Sequence, residues 1–99
     1  MTRKSASNAL KPLDRMIGGD AGLQAAIEEE RVNAQVAREI YELRTSRGLS
    51  QKQLADLVGT RQSAIARLED ADYQGHSLRM LRRIADALNA HLMVHLVPD

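Results

Sequence analysis

The stretch that decides the fold runs from residue 49 to residue 69 and reads LSQKQLADLVGTRQSAIARLE. Ser50 with Gln53 three positions later fits a capping box, in which side chain and backbone satisfy each other's free groups at a helix start. Leu54, Ala55, Leu57 and Val58 supply the buried side of a short helix, and Gly59 stops it. Thr60 offers a second N-cap one residue later, which predicts a further helix from 61 to about 70. Two short helices joined by a single Gly-Thr step must cross steeply. Ala55 has to be small there because the second helix passes close over it, and Gly59 accepts a turn conformation that a side chain resists. Ile65 and Leu68, three apart, anchor the second helix to the core.

A helix turns about 100° per residue, so with Ile65 and Leu68 inward, Ser63 and Arg67 point out together. Gln62 projects from the first turn, and Ala64 and Ala66 add little bulk that would hold a partner away. This is the helix-turn-helix arrangement, whose second helix enters the major groove of DNA. Gln51 stands at the start of the preceding helix, where side chain and backbone N–H can bind phosphate. Lys52, Thr60 and Arg61 are further phosphate candidates.

Working outward, Val36, Ile40 and Leu43 form one apolar stripe between Arg31 and Arg47, with Ala37 beside it, and Gly48 ends that helix. Earlier, Leu23, Ala26 and Ile27 recur at helical spacing behind Asp20, a candidate cap. Residues 71–76 are expected to form a loop. Ser77 caps a last helix in which Leu78, Leu81, Ile84, Ala85 and Leu88 line one side, and Asn89 is a plausible stop. The period then changes: His91 to Val97 is short and β-branched, and Pro98 ends it, so a strand is predicted. A lone strand leaves its backbone unpaired, and antiparallel pairing with the same strand of another copy solves this, with Leu92, Val94 and Leu96 as dimerisation residues; the alternatives are a frayed tail or a short strand against the N-terminal arm. Residues 1–19 are polar, hold Pro12 and the Gly18-Gly19 pair, and read as a flexible arm. The expected organisation is arm 1–19, helical domain 20–89, and dimerisation strand and tail 90–99.

With 99 residues the chain is a single small domain, and 43% hydrophobic with 27% charged residues is ordinary for a soluble protein. Cysteine is absent, which removes disulfides, thiolate nucleophiles and cysteine zinc sites together. Tyr41 and Tyr73 are the only aromatics, so the core must be aliphatic and base stacking on aromatic platforms has no basis. No apolar run approaches the ~20 residues that span a bilayer, and no apolar signal core opens the chain. A cytoplasmic protein with no membrane association is expected. The formal net charge of +1 conceals asymmetry. Residues 43–69 carry Arg44, Arg47, Lys52, Arg61 and Arg67 against Asp56 and Glu69, whereas residues 20–42 carry six acids against Arg31 and Arg38. Two faces for two partners follow from that distribution. His91 and His95 would chelate a metal on a helix, but on a strand they are ~13 Å apart, too far for one ion. No phosphate loop, nucleophile elbow or ligand cluster appears, so neither enzyme activity nor a cofactor or metal is expected.

Gln51, Ala55, Gly59, Ile65, Leu68 and Glu69, with Leu43-Arg44 before them and Leu81, Ile84, Ala85 and Leu88 after, resemble the Xre/Cro-repressor family over roughly residues 33–89. The resemblance implies an all-α, lambda-repressor-like helix-turn-helix bundle of four to five helices, here with the short C-terminal strand added. It places Gln62, Ser63 and Arg67 on base edges. Arg67 would bridge guanine N7 and O6, and Gln62 would pair with adenine, at about 1–3 kcal/mol of discrimination each. It also implies an Arg44–Glu69 pair beneath the motif and a phosphate contact from Arg79. The remaining arginines of the last helix, Arg82 and Arg83, read as a solvated face, and His76 as a solvated or phosphate-touching loop residue.

Size, the extended acidic first helix and the strand-like tail are most similar to the HigA-type antitoxins of that superfamily. This implies a toxin partner, a small basic ribonuclease of the RelE or HigB type, and points to Leu23, Ile27, Glu28, Glu29 and Glu30 as its contact, or in its place to the N-terminal segment Met1 to Arg15, which does this work in some members. The functional expectation is a dimeric, sequence-specific repressor on double-stranded DNA, bound to an inverted repeat and paired with a toxin. The alternatives are a stand-alone Xre-type repressor, with the glutamates as a solvated face, and an interaction module without DNA binding. The outward Gln62, Ser63 and Arg67 oppose the last of these.

Overall fold

The computed structural model describes residues 19–99, and every structural statement below concerns these residues. They form four helices: α1 Gly19–Ser46, α2 Gln51–Val58, α3 Gln62–Leu68 and α4 Leu78–Ala87. The expected arm falls almost wholly outside the described residues. The chain divides into two compact units within α1, the second being Val32–Asp99.

In the first unit α1 begins at Gly19, so Asp20 lies inside the first turn instead of capping it. Leu23 and Ile27 are exposed, and Arg31 pairs with Glu28 one turn back at 2.6 Å. That close hydrogen bond to Glu28 holds the Arg31 guanidinium charged, above its ordinary range.

The second unit carries the core. Leu54, Ile65 and Leu88 are completely enclosed, and Ala37, Ile40, Ala55, Val58, Leu68, Ile84 and Ala85 surround them. Each fully buried Leu or Ile contributes roughly 1.5–3 kcal/mol. As composition requires, the cluster is aliphatic, with Tyr73 packed against its edge. α2 is the element on which both α3 and α4 pack. Its start carries the complete capping box: Gln53 N–H donates to Ser50 Oγ at 3.0 Å, and Ser50 N–H to Gln53 Oε1 at 2.8 Å. Its end closes at Gly59, left-handed at φ +83°, where both Gly59 and Thr60 N–H reach the Ala55 carbonyl at 2.9 Å. Gly48 and Asn89 take the same left-handed backbone after α1 and α4.

Four further expectations are corrected. Leu57 is 60% exposed because its helical phase lies about 100° from the centre of the Leu54, Ala55 and Val58 side. Leu78 is also exposed, at the first residue of α4 and about 120° in helical phase from Ile84. Arg61, not Thr60, is the N-cap of α3, and no side chain caps that end. The reason is that Thr60 still belongs to the closing turn of α2 through its N–H. Finally, residues 90–99 form no strand, and Leu92, Val94 and Leu96 stand exposed without a ladder. Among the described residues there is no second strand to pair with them. Instead, Leu92 and Val94 join Val36, Leu43, Leu81 and Ile84 in lining an open apolar groove of about 760 Å³. No helix is long and apolar enough to cross a membrane.

Candidate nucleic-acid interface

The site is built on α3, and the burial of Ile65 and Leu68 orients it. With those two side chains inside, Gln62, Ser63 and Arg67 are all exposed, while Ala64 is half-buried and Ala66 exposed between them. The three residues expected to meet bases therefore share the outer side of one short helix. Arg61 is exposed beside them at the N-cap. Neither Arg61 nor Arg67 forms an ion pair among the described residues, whose pairs are Glu28–Arg31, Arg44–Glu69 and Lys52–Asp56.

Beneath α3 lies the pair that the family resemblance implies. Arg44 Nε donates to Glu69 Oε2 at 2.6 Å, and a second guanidinium nitrogen donates to Oε1 at 3.0 Å. The third nitrogen donates to the Leu49 carbonyl at 2.7 Å. Two parallel bonds of this kind match the planar fork of arginine to carboxylate. The hydrogen bond to Glu69 keeps the Arg44 guanidinium above its usual range, overcoming the opposing effect of burial. Arg44 ends α1 and Glu69 follows α3, so the pair fixes the outward helix against the first.

The phosphate candidates divide. Lys52 is 73% exposed and pairs only loosely with Asp56 at 3.6 Å, and Arg79 is exposed on the first turn of α4. Gln51 is half-buried, and its amide donates to Glu69 Oε1 at 3.1 Å. The phase of Gln51 on α2 is near that of Val58, which turns it toward Glu69. Thr60 is half-buried with its N–H committed to Ala55. For Gln51 the remaining means of meeting a phosphate is the open backbone of the first turn.

Three basic side chains that read as solvated surface or general positive charge are structural. Arg83 donates to the Val58 carbonyl at 2.6 Å and finishes α2. Arg47 donates to the Leu88 carbonyl at 3.0 Å and finishes α4. His76 Nε2 lies 2.7 Å from the Leu68 carbonyl at the end of α3. Each satisfies an orphan carbonyl and places positive or polar hydrogen at the negative end of a helix. Helical phase could have found Gln51. Nothing in the sequence signals the other three, because each bond joins elements separated along the chain. The basic middle of the chain is therefore less available than its charge suggests: Arg44 is buried and Arg47, though exposed, is committed to the Leu88 carbonyl, leaving Lys52, Arg61 and Arg67 outward.

Comparison with curated proteins and with solved structures returned no match. A family model described as helix-turn-helix matches residues 40–93, from the second half of α1 through α2, α3 and α4 into the tail. The matched span holds the capped α2, the left-handed Gly59, the outward α3 and the Arg44–Glu69 pair. More than half of the chain thus answers to one family. The chain belongs to the helix-turn-helix family of Xre and lambda-repressor type, and is a DNA-binding transcriptional regulator.

Proposed function

We propose that this regulator is a sequence-specific repressor that reads DNA with Gln62, Ser63 and Arg67 and binds an inverted repeat as a dimer. The observation that carries the reading is the exposure of all three side chains, Ser63 and Arg67 on the face of α3 opposite Ile65 and Leu68 and Gln62 at its first residue. Arg67 supplies the guanidinium fork for guanine, and Gln62 the amide for adenine. Lys52, Arg61 and Arg79 with the α2 start (Gln51) and Thr60 take the flanking phosphates, which set register and most of the affinity. Dimerisation is supported by the unpaired tail: Leu92, Val94 and Leu96 expose apolar side chains on a backbone free to pair with a second copy. Two such subunits would set recognition helices ~34 Å apart.

The same reading makes the protein the antitoxin of a toxin pair. It is supported by Leu23 and Ile27, exposed at 55% and 54% beside Glu28, Glu29 and Glu30, an apolar and acidic surface suited to a small basic ribonuclease. A stand-alone repressor is favoured by one observation, the neutralisation of Glu28 by Arg31 of its own helix. The family match begins at residue 40 and does not reach this surface. Two experiments test the proposal. Selection of binding sites from random duplexes should return an inverted repeat; a single unrepeated site, or none, refutes the dimeric reading. Expression of the adjacent reading frame, with and without this chain, should show growth arrest relieved by a co-purifying complex. No arrest and no complex leaves the stand-alone repressor.

A further inference from the structure

We infer that His76 is the positioning residue of the recognition helix. It acts through the Leu68 carbonyl to hold Arg67 at its base-reading place, and so rests on the reading of α3 proposed above.

α3 has seven residues and no side-chain cap at its start, so beyond the anchors Ile65 and Leu68 and the Arg44–Glu69 pair, its last turn depends on what closes its far end. There, Glu69 N–H takes the Ile65 carbonyl at 3.0 Å and Asp70 N–H takes that of Arg67 at 3.1 Å. The Leu68 carbonyl receives no backbone donor, and Leu68 is only 5% exposed, so water is poorly placed to serve it. His76 Nε2 at 2.7 Å is its partner. A carbonyl only accepts, so the proton sits on Nε2 and the bare nitrogen is Nδ1. Nδ1 is enclosed and has no partner among the described residues, which makes the ring's one useful bond the one to α3.

The ring is itself braced. Tyr73 meets it edge to face, with centroids 5.2 Å apart at 72°, and Tyr73 packs on the core. Gly75 permits this, since a Cβ there would run into the Tyr73 phenol. Ser77, the next residue after His76, caps α4 by accepting from Met80 N–H at 3.1 Å. Consecutive residues thus tie the end of α3 to the start of α4. Arg67, Leu68, Tyr73 and Gly75 also line a cavity of about 160 Å³, which gives the end of α3 room to shift once the tie is cut. The Leu68 carbonyl belongs to the peptide that joins Leu68 to Glu69, one residue beyond Arg67 in the same last turn, so a turn that shifts there carries the arginine with it. Contacts that specify a base tolerate little such movement.

The test uses the full chain, its selected operator and a scrambled duplex, at a temperature where circular dichroism shows every variant folded. The ratio of the two affinities is read for wild type, His76→Ala, His76→Gln and His76→Asn. Glutamine can place an amide nitrogen where Nε2 stands, whereas asparagine reaches only the place of Nδ1. His76→Ala is expected to lose about tenfold in selectivity, with His76→Gln restoring most of it and His76→Asn little. Nitrogen NMR of the wild-type ring should show the Nε2–H tautomer. Undiminished selectivity in His76→Ala, equal rescue by glutamine and asparagine, or an Nδ1–H tautomer overturns the inference. A wild type that binds both duplexes equally refutes the base-reading proposal instead. In that case the tautomer and the amide-exchange protection of the last turn of α3, lost in His76→Ala and regained in His76→Gln, still decide the bond.

Discussion

Replacing Glu69 by alanine removes the carboxylate that answers Arg44, and the structure sets the size of the loss. The two side chains are 9% and 4% exposed, so a stranded guanidinium cannot turn to solvent without opening the core. It would keep one acceptor, the Leu49 carbonyl, and the Gln51 amide would lose its own. Breaking a pair buried this deeply costs about 3–5 kcal/mol, whereas an exposed pair is worth about 0–1 kcal/mol. A domain of this size is stable by only roughly 5–15 kcal/mol, so the variant should be visibly crippled. Urea unfolding followed by far-ultraviolet circular dichroism is the assay. At about 1–2 kcal/mol per molar urea, the midpoint should fall by roughly 2 M or more. A companion variant, Arg44→Met with Glu69→Leu, leaves no charge behind and should recover most of the loss. A Glu69→Ala cost below about 1 kcal/mol refutes the burial reasoning. A double variant as unstable as the single one refutes uncompensated charge as the cause. The arginine adds no pH dependence of its own: its raised folded value keeps its contribution whole below the ordinary arginine range and loses it only as pH climbs through that higher value, so the penalty should not vary on its account at any ordinary assay pH.

Arg67→Ala, at an exposed position with no ion pair, should leave the urea midpoint within about 0.5 kcal/mol of wild type while flattening preference at one base pair by about 1–3 kcal/mol, measured by binding to single-substituted operators. Lys52→Ala should weaken operator and scrambled DNA alike and reduce the slope of log affinity against log salt by about 1, whereas Arg83→Ala should lower stability more than that slope. Gly59→Ala forces a side chain to φ +83° with only ordinary contact to Arg83, so thermal unfolding should show a cost of about 1–2 kcal/mol from the backbone alone. Deleting residues 92–99 should give monomers in sedimentation; a truncated chain that still forms dimers refutes pairing through the tail.

Much of this protein is decided locally. The capping box at Ser50 and Gln53, the left-handed Gly59, the stop at Asn89 and the opposite phases of Ile65 and Arg67 depend on residues within a turn or two of each other. Their spacing in the chain therefore contains the geometry, and with it the outward face of α3. Local spacing is ambiguous where two elements compete for one residue: Thr60 has a cap's chemistry but finishes α2 instead of starting α3. What the chain alone could not decide are the bonds between distant elements. Arg83 has the phase of a solvated residue and still reaches Val58, Arg47 crosses to Leu88, and His76 leaves its loop for Leu68. A long or polar side chain in sequence offers the same pattern whether it faces water, a phosphate or a bare carbonyl. Which of these it meets depends on where folding brings the helix ends, and that is a property of the packed core.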